Sequence, residues 1–344
     1  MTTLQQRIEA FTRLGKIMKD AASSDPYSPE AVRLRGIMDD QHKKNKWFTP
    51  GNVILSVKAI ADMLREDKLQ EWLAKYNIPD EPGPGKTVAV IMAGNIPLVG
   101  FHDFLCVLIS GNSLLAHTSS KDSELISEVS EILIRINSNF REKIALSSKI
   151  SPPYDAVIAT GSNNTSRYFE YYFGQKPHIF RKNRNSVAII GRQTEEKEVR
   201  NLAFDIFSYF GLGCRNVSKI YLEEGIDPEE IIRHLSGWEH IKQHEPYANN
   251  YIYNRSLLNL NKEAFLDNGF MLFKKDHSMA SPVAVTYYDF FSERGKLMNE
   301  LDRQAGMIQC IVSDNDLPFG HSQYPGPGEY ADNVDTLAFL TSLE

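Results

Sequence analysis

Three stretches of this sequence hold residue types able to do covalent or ligand chemistry, and glycine stands beside each. In "FSYFGLGCRNVSKIYLEE" (207–224), Cys214 follows Gly211, Leu212 and Gly213, and Arg215 follows it. A thiol on such a bend, with a cation next to it and free backbone N–H groups around it, is suited to ionise and attack a carbonyl. The same cysteine could be a small core residue at a tight turn, because no histidine is paired with it in the sequence. In "AGNIPLVGF" (93–101) a strand ends at Gly94, and Pro97 stands where a helix is expected to begin. Asn95 then either reaches a ligand beyond the carboxyl end of its strand or caps that helix. In "ATGSNNTSRYFEYYF" (159–173), Gly161 and Ser162 close a strand and a helix is expected from near Asn164. Backbone N–H groups at a helix start can hold a pyrophosphate without a glycine signature. The other two thiols read differently. Cys106 lies in the apolar "FHDFLCVLI" and Cys310 in the strand-like "IQCIV", and both are expected to be packed and inert.

Several other chemistries are excluded. "GPGKT" (83–87) lacks the earlier glycine of a P-loop, since position 80 is Asp80, and a strand follows it where a helix is needed. No G-x-G-x-x-G occurs. The nine histidines do not cluster as metal ligands; His240 and His244 are four apart, which reads as a solvated helix face. A net charge of −6 gives no electrostatic reason to expect nucleic acid or an anionic membrane. Three cysteines cannot all pair and lie in unrelated contexts, which fits a reducing compartment better than a disulfide framework. The first residues carry a helical period rather than a signal peptide, and no apolar run is long enough to span a bilayer, so a cytoplasmic protein is expected.

The elements that must position these residues follow from periodicity. Residues 1–78 read as a helical N-terminal region, with apolar residues at helical spacing in "LQQRIEAFTRLGKIM" and "NVILSVKAIADMLREDKLQEWLAKY". "PDEPGPGK" (79–86) is a linker. Strands are expected in "TVAVIMA" (87–93), "SLLAHT" (113–118) and "YDAVIAT" (154–160), with helices in "IPLVGFHDFLCVLISG" (96–111) and "SELISEVSEILIRINSNF" (123–140). Alternating strands and helices imply parallel strands with crossovers, an open α/β sheet. A second α/β stretch starts with "SVAIIG" near Ser186, runs through the cysteine, and ends in "SPVAVTYY" (281–288) and "MIQCIVS" (307–313). The boundaries expected are 79–185 for a cofactor-binding domain, 186–316 for a catalytic domain and 317–344 for a closing segment.

Taken in chain order, these motifs resemble the aldehyde dehydrogenase superfamily over roughly residues 86–344. "GNIPL" (94–98) is similar to its Asn-containing turn, "LISGNSLLAHTSS" (108–120) to its second βα turn, and "TGS" (160–162) to its pyrophosphate-facing segment. "FGLGCRNVSKIYLEE" is similar to its nucleophile loop and "LPFGHSQYPGPG" to its closing segment. The front "KWFTPGNV" and the ending "YADNVDTLAFL" look like the LuxC-type acyl-CoA reductases. Two departures matter. Where oxidising members have Glu-Leu-Gly-Gly-Lys, this chain reads "RKNRN" (181–185), with Arg181 in place of the hydrolytic base. The lysine usually near the adenosine ribose aligns with His117.

The resemblance implies an aldehyde-dehydrogenase-like α/β fold and NAD(P)H-dependent reduction of an acyl-CoA or acyl-protein thioester to an aldehyde. In that reading Cys214 is the nucleophile and Asn95 an oxyanion donor. Thr160, Gly161 and Ser162 face the pyrophosphate, and His117 and Ser119 lie near the adenosine ribose. NADPH is the expected donor, with NADH as the alternative. No nucleic acid and no membrane span are expected, and the family leaves room for a homo-oligomer. Arg181 implies that an acyl-enzyme resists water, and a glutamate there should admit hydrolysis where its side chain reaches the thioester. Two rivals are an ordinary aldehyde dehydrogenase and a silent scaffold of the same fold.

Overall fold

The computed structural model describes residues 2–80, 83, 85–150, 153–161 and 163–343. The chain divides into two compact units, Met1–Asn183 with Tyr324–Glu344, and Arg184–Gln323.

The first unit opens with α1 (Leu4–Ala21), α2 (Pro29–Lys44), α3 (Pro50–Met63) and α4 (Glu66–Leu73). Thr3 and Gln6 form a reciprocal capping box at the start of α1, and proline opens α2 and α3, where its missing N–H costs nothing. Phe11, Leu14 and Met18 share the buried face of α1. Phe11 meets Phe104 and Phe140 edge-on, with centroids 6.4 and 5.9 Å apart, so these helices share the core of the sheet that follows. Arg7 is buried in the same layer and donates to the carbonyls of Ile109, Thr2 and Pro79. Burial pushes its pKa down to about 10, against the pull of Asp80.

The sheet of this unit contains β1 (Thr87–Ile91), β2 (Ser113–His117), β3 (Ile144–Ser147), β4 (Ala156–Thr160) and β5 (His178–Arg181). Helices α5 (Phe101–Ile109), α6 (Ser123–Ile136) and α7 (Asn163–Phe173) connect them. All neighbouring pairs are parallel in the order β3-β2-β1-β4-β5. The chain leaves β1 toward β2 and β3, then returns to place β4 on the other side of β1. The strand order therefore reverses between β1 and β4, the place where open α/β sheets bind ligands.

The second unit holds β6 (Asn185–Ile190), α8 (Glu196–Phe207), β7 (Val217–Glu223), α9 (Pro228–His234), α10 (Glu245–Leu260), β8 (Leu266–Asp267), β9 (Leu272–Lys275), β10 (Val285–Phe291), α11 (Arg294–Arg303) and β11 (Ile308–Val312). Its order is β11-β6-β7-β10-β9-β8, parallel except for β8 against β9. Val187–Ile190 and Ile220–Leu222 are buried, as continuous apolar runs in central parallel strands should be. The chain ends with α12 (Thr336–Thr341), which belongs to the first unit.

Three expectations are corrected. The helix read from position 96 begins at Phe101. The strand read over 281–288 runs Val285–Phe291. His240 and His244 do not share an α-helical face: His240 lies in a 3₁₀ segment, and His244 precedes α10 and stacks on Phe210 with centroids 3.9 Å apart. Among the described residues, no helix is long and apolar enough to cross a membrane.

Candidate active site

The carboxyl edge of the first sheet gathers the cofactor-side candidates. Asn95 lies four residues past the end of β1, exposed on the turn. His117 is the last residue of β2, paired in register with Ile91, and its Nδ1 lies 3.3 Å from the Ser147 carbonyl oxygen. Ser119 follows two residues on. Thr160 is the last residue of β4, and the N–H of Gly161 donates to the Arg181 carbonyl at 3.2 Å. Because β1, β2 and β4 are parallel neighbours, their ends lie along one edge, flanking the switch between β1 and β4. Ser162 lies outside the described residues.

The capping alternative for Asn95 fails on geometry. Helix α5 begins six residues later and its N-cap is Gly100. A constrained turn fills the gap: Leu98 has φ +56°, a left-handed conformation that a branched side chain adopts only when held there. Two side chains hold it. Ser56 Oγ donates to the Pro97 carbonyl at 2.7 Å, and Asp122 Oδ2 accepts the Leu98 N–H at 2.7 Å. Gly94 packs against Ser119 so closely that a Cβ there would lie 2.6 Å from Ser119 Cβ and overlap its hydroxyl. The turn bearing Asn95 and the turn bearing Ser119 are thus interlocked.

Nothing in the sequence singles out Asp122, which braces this turn. It is 6 % exposed, Oδ1 has no hydrogen-bond partner, and burial pushes its carboxyl up to about 8 although Leu98 N–H pulls the other way. A carboxyl with a raised folded pKa favours the folded state fully only below its unfolded value of 3.8, and that support fades as pH rises through about 8. Wild type should therefore lose stability between pH 5 and pH 9 by a few kcal/mol, at most about 4, that Asp122→Asn does not lose. Urea melts of both proteins across that range check this; parallel curves would show that Asp122 stays ionised.

Cys214 belongs to the second unit. Three consecutive residues before it have positive φ: Tyr209 (52°), Phe210 (60°) and Gly211 (77°). Two aromatic residues in that region store strain that the surroundings must offset, and such strain gathers at functional turns. The offset comes from Asn216, whose Nδ2 donates to the carbonyls of Asp205 and Ser208 at 3.0 and 2.8 Å and whose Oδ1 accepts the Gly213 N–H at 2.8 Å. Ser186 Oγ donates to the Cys214 carbonyl at 2.9 Å. Arg215 Nε donates to the Ser322 carbonyl at 2.5 Å, tying the turn to the "LPFGHSQ" segment. The buried carboxylate of Asp205 holds that segment from the other side, accepting N–H groups of Gly320 and Ser322. Cys214 is half-buried on this braced turn.

The other thiols differ from each other. Cys106 is fully buried, and burial followed by Asp103 pushes its pKa well up. Cys310 is half-buried rather than packed away. Its Sγ lies 3.0 Å from Ser186 Oγ. Ser186 thus bridges the two thiol-bearing segments, its hydroxyl in contact with both the Cys214 carbonyl and Cys310 Sγ. Arg181 is 3 % exposed and turns into the first unit, where it donates to Asp103 Oδ2 at 2.5 Å and to Thr336 Oγ1 at 2.7 Å. Among the described residues, no group of three or more His, Cys, Asp or Glu could hold a metal ion.

Comparison with known proteins bears on this arrangement. Residues 10–271 match the family model described as acyl-CoA reductase (LuxC). The chain belongs to the LuxC acyl-CoA reductase family. A long-chain acyl-protein thioester reductase of Aliivibrio fischeri is 22 % identical over 235 residues, 62 % of this chain and 46 % of that protein. A long-chain acyl-protein thioester reductase 2 of Photobacterium leiognathi is also 22 % identical over 257 residues, 68 % of this chain and 51 % of its own length. The chain thus spans about half the length of these curated relatives. The indole-3-acetaldehyde dehydrogenase AldA of P. syringae, in complex with NAD+ and IAA, superposes with a TM-score of 0.64 at 13 % identity, covering 91 % of this chain and 72 % of that one. An oxidoreductase from Marinobacter aquaeolei gives 0.66 at 10 % identity over 90 % and 73 %. The LuxC-family chain has the aldehyde dehydrogenase fold.

Proposed function

We propose that this chain reduces an acyl thioester, of CoA or of a carrier protein, to an aldehyde at the expense of NADPH. The observation that carries the reading is Cys214, half-exposed on a strained and multiply braced turn in a member of the LuxC family. The Cys214 thiolate attacks the acyl carbonyl, and the donor leaves as its thiolate, taking a proton from solvent. Asn95 and the Cys214 N–H hold the charge that develops on the carbonyl oxygen, each such donor contributing about 3 kcal/mol. Reduction of the acyl-enzyme gives a thiohemiacetal on Sγ, whose collapse releases aldehyde and restores the thiolate. Covalent capture divides one hard reduction into two easier steps.

The first sheet suits a dinucleotide: its strand order reverses between β1 and β4, with hydroxyl and glycine residues at the strand ends. When bound, the reduced nicotinamide supplies the hydride. Thr160, Gly161 and Ser162 are assigned to the pyrophosphate, and His117 and Ser119 to the adenosine ribose. Lys121, two residues after Ser119 and exposed, is a cation that a 2′-phosphate could pair with, which supports NADPH over NADH. The relatives named for acyl-protein thioesters support a thioester substrate, whether the donor is CoA or a protein.

Intact-mass measurement after mixing with butyryl-, octanoyl- and palmitoyl-CoA tests the proposal. One acyl group should appear on Cys214 and persist, and adding NADPH should discharge it as aldehyde with one NADPH oxidised per acyl group. If the protein instead turns aldehyde and NAD(P)+ into free acid at a good rate, it is an ordinary dehydrogenase.

A further inference from the structure

Asp122 occupies the N-cap position of α6, a place where aspartate ordinarily accepts an N–H of its own helix. Here it makes no such bond. Its side chain is buried and turned to the neighbouring turn, where Oδ2 accepts the N–H of Leu98 at 2.7 Å. That N–H belongs to a residue at φ +56°, three positions after Asn95. The peptide before it is held from the other side by Ser56 Oγ on the Pro97 carbonyl. Upstream of Asn95, Gly94 is seated on Ser119. Asn95 is therefore the exposed residue between two fixed points, Gly94 and Leu98, and both fixed points are set by the Ser119–Asp122 segment.

We infer that Asp122 is a positioning residue for Asn95, giving up its own helix cap to hold the turn that presents the Asn95 amide to the acyl oxygen. The inference rests on the proposed thioester chemistry for what Asn95 does, but not for how it is held. Without the Asp122 acceptor the Leu98 N–H loses its bond, and among the described residues the Ser56 bond to the Pro97 carbonyl is left as the one side-chain hydrogen bond holding Leu98 left-handed. The turn relaxes and Asn95 moves off its donor position, and an oxyanion donor displaced by about 1 Å loses most of its effect. Asparagine can substitute, because its Oδ1 also accepts an N–H and it carries no charge. Alanine and serine cannot, alanine for want of an acceptor and serine for want of reach, although serine can still cap α6 and so protects the fold.

The test uses the whole chain and octanoyl-CoA. Single-turnover acylation of Cys214, read by intact mass, should slow by about thirtyfold or more in Asp122→Ala and in Asp122→Ser, and by less than about threefold in Asp122→Asn. Iodoacetamide labelling of Cys214 should stay at the wild-type rate in all three, which a general loosening of the protein would not allow. Asp122→Ala combined with Asn95→Ala should acylate no more slowly than Asn95→Ala alone, since Asp122 acts only through Asn95. Amide exchange at Leu98 should quicken in the alanine and serine variants and not in the asparagine one. Wild-type acylation in Asp122→Ser, or a double variant slowed by the product of the two single effects, overturns the positioning role. Should wild type itself take up no octanoyl, butyryl or palmitoyl group, the thioester proposal falls. Leu98 exchange then still decides whether Asp122 holds the turn.

Discussion

Cys214→Ser is expected to abolish the acyl-enzyme and to lower aldehyde formation by at least about a thousandfold, with little change in the melting transition. Serine is nearly the same size, and the side chain it replaces is half-buried, so packing hardly changes. The chemistry changes completely, since a hydroxyl is almost wholly protonated at neutral pH whereas a thiol is already a few per cent thiolate. Limiting iodoacetamide makes the same point in wild type. Cys106 should stay unlabelled, because burial and Asp103 both oppose its ionisation. Cys310 is half-buried like Cys214, so it is the sharper control. It should label slowly because it lies within β11 beside Ser186 Oγ rather than on a glycine-flanked turn. Peptide mapping should assign the fast phase to Cys214 alone. Residual turnover in Cys214→Ser that disappears in Cys310→Ser would move the nucleophile to β11.

What the sequence disclosed and withheld follows from the range of each interaction. The strands β1, β2, β4, β6 and β7 are short buried apolar runs between turn residues, a local signal. The edge strands β3 and β5, "IALS" and "HIFR", are only four residues long, and their pairing depends on partners about thirty and twenty positions upstream. The sequence suggests too early a start for α5 because Pro97 looks like a first-turn proline. In the fold it lies in a turn that is set by Ser56, forty-one residues earlier. Asn95 and Cys214 stand out in the sequence as candidates because glycines flank them, yet the residues that brace their turns do not. Asp122 reads as an ordinary helix cap, and only its missing cap bond and its contact with Leu98, twenty-four residues earlier, reveal another task. Ser186 and Asn216 read as strand-edge polar residues. The Ser186 bond to the cysteine turn appears only once β6 and β7 are side by side, whereas Asn216 closes that turn locally, in a left-handed conformation that the residue types Tyr209 and Phe210 do not suggest.

Arg181 shows the same limit with the largest consequence for stability. In the sequence it stands where a hydrolytic base would be, and a glutamate there should then leak acyl-enzyme to free acid. In the fold its guanidinium is committed to Asp103 on α5 and Thr336 on α12, seventy-eight and one hundred and fifty-five residues away. Burial works against its charge, but Asp103 outweighs it and the pKa stays raised. Arg181→Glu should therefore set two carboxylates against each other in a buried site and lower stability by about 3–5 kcal/mol or more, not open a route for water. Arg181→Met should lose a similar amount, because it strands Asp103 without a cation. Arg181→Met with Asp103→Leu should recover most of that loss, since an apolar pair of similar volume leaves no charge to desolvate. Urea melts of the three variants read the stabilities, and free acid from the octanoyl adduct reads the leak. Melts in which Arg181→Glu matches wild type, together with steady release of free acid, would place the side chain at the thioester after all. Loss of stability in both single variants, recovered in the double, would mean that Arg181 is lost to catalysis because it fastens the end of the chain to the first sheet.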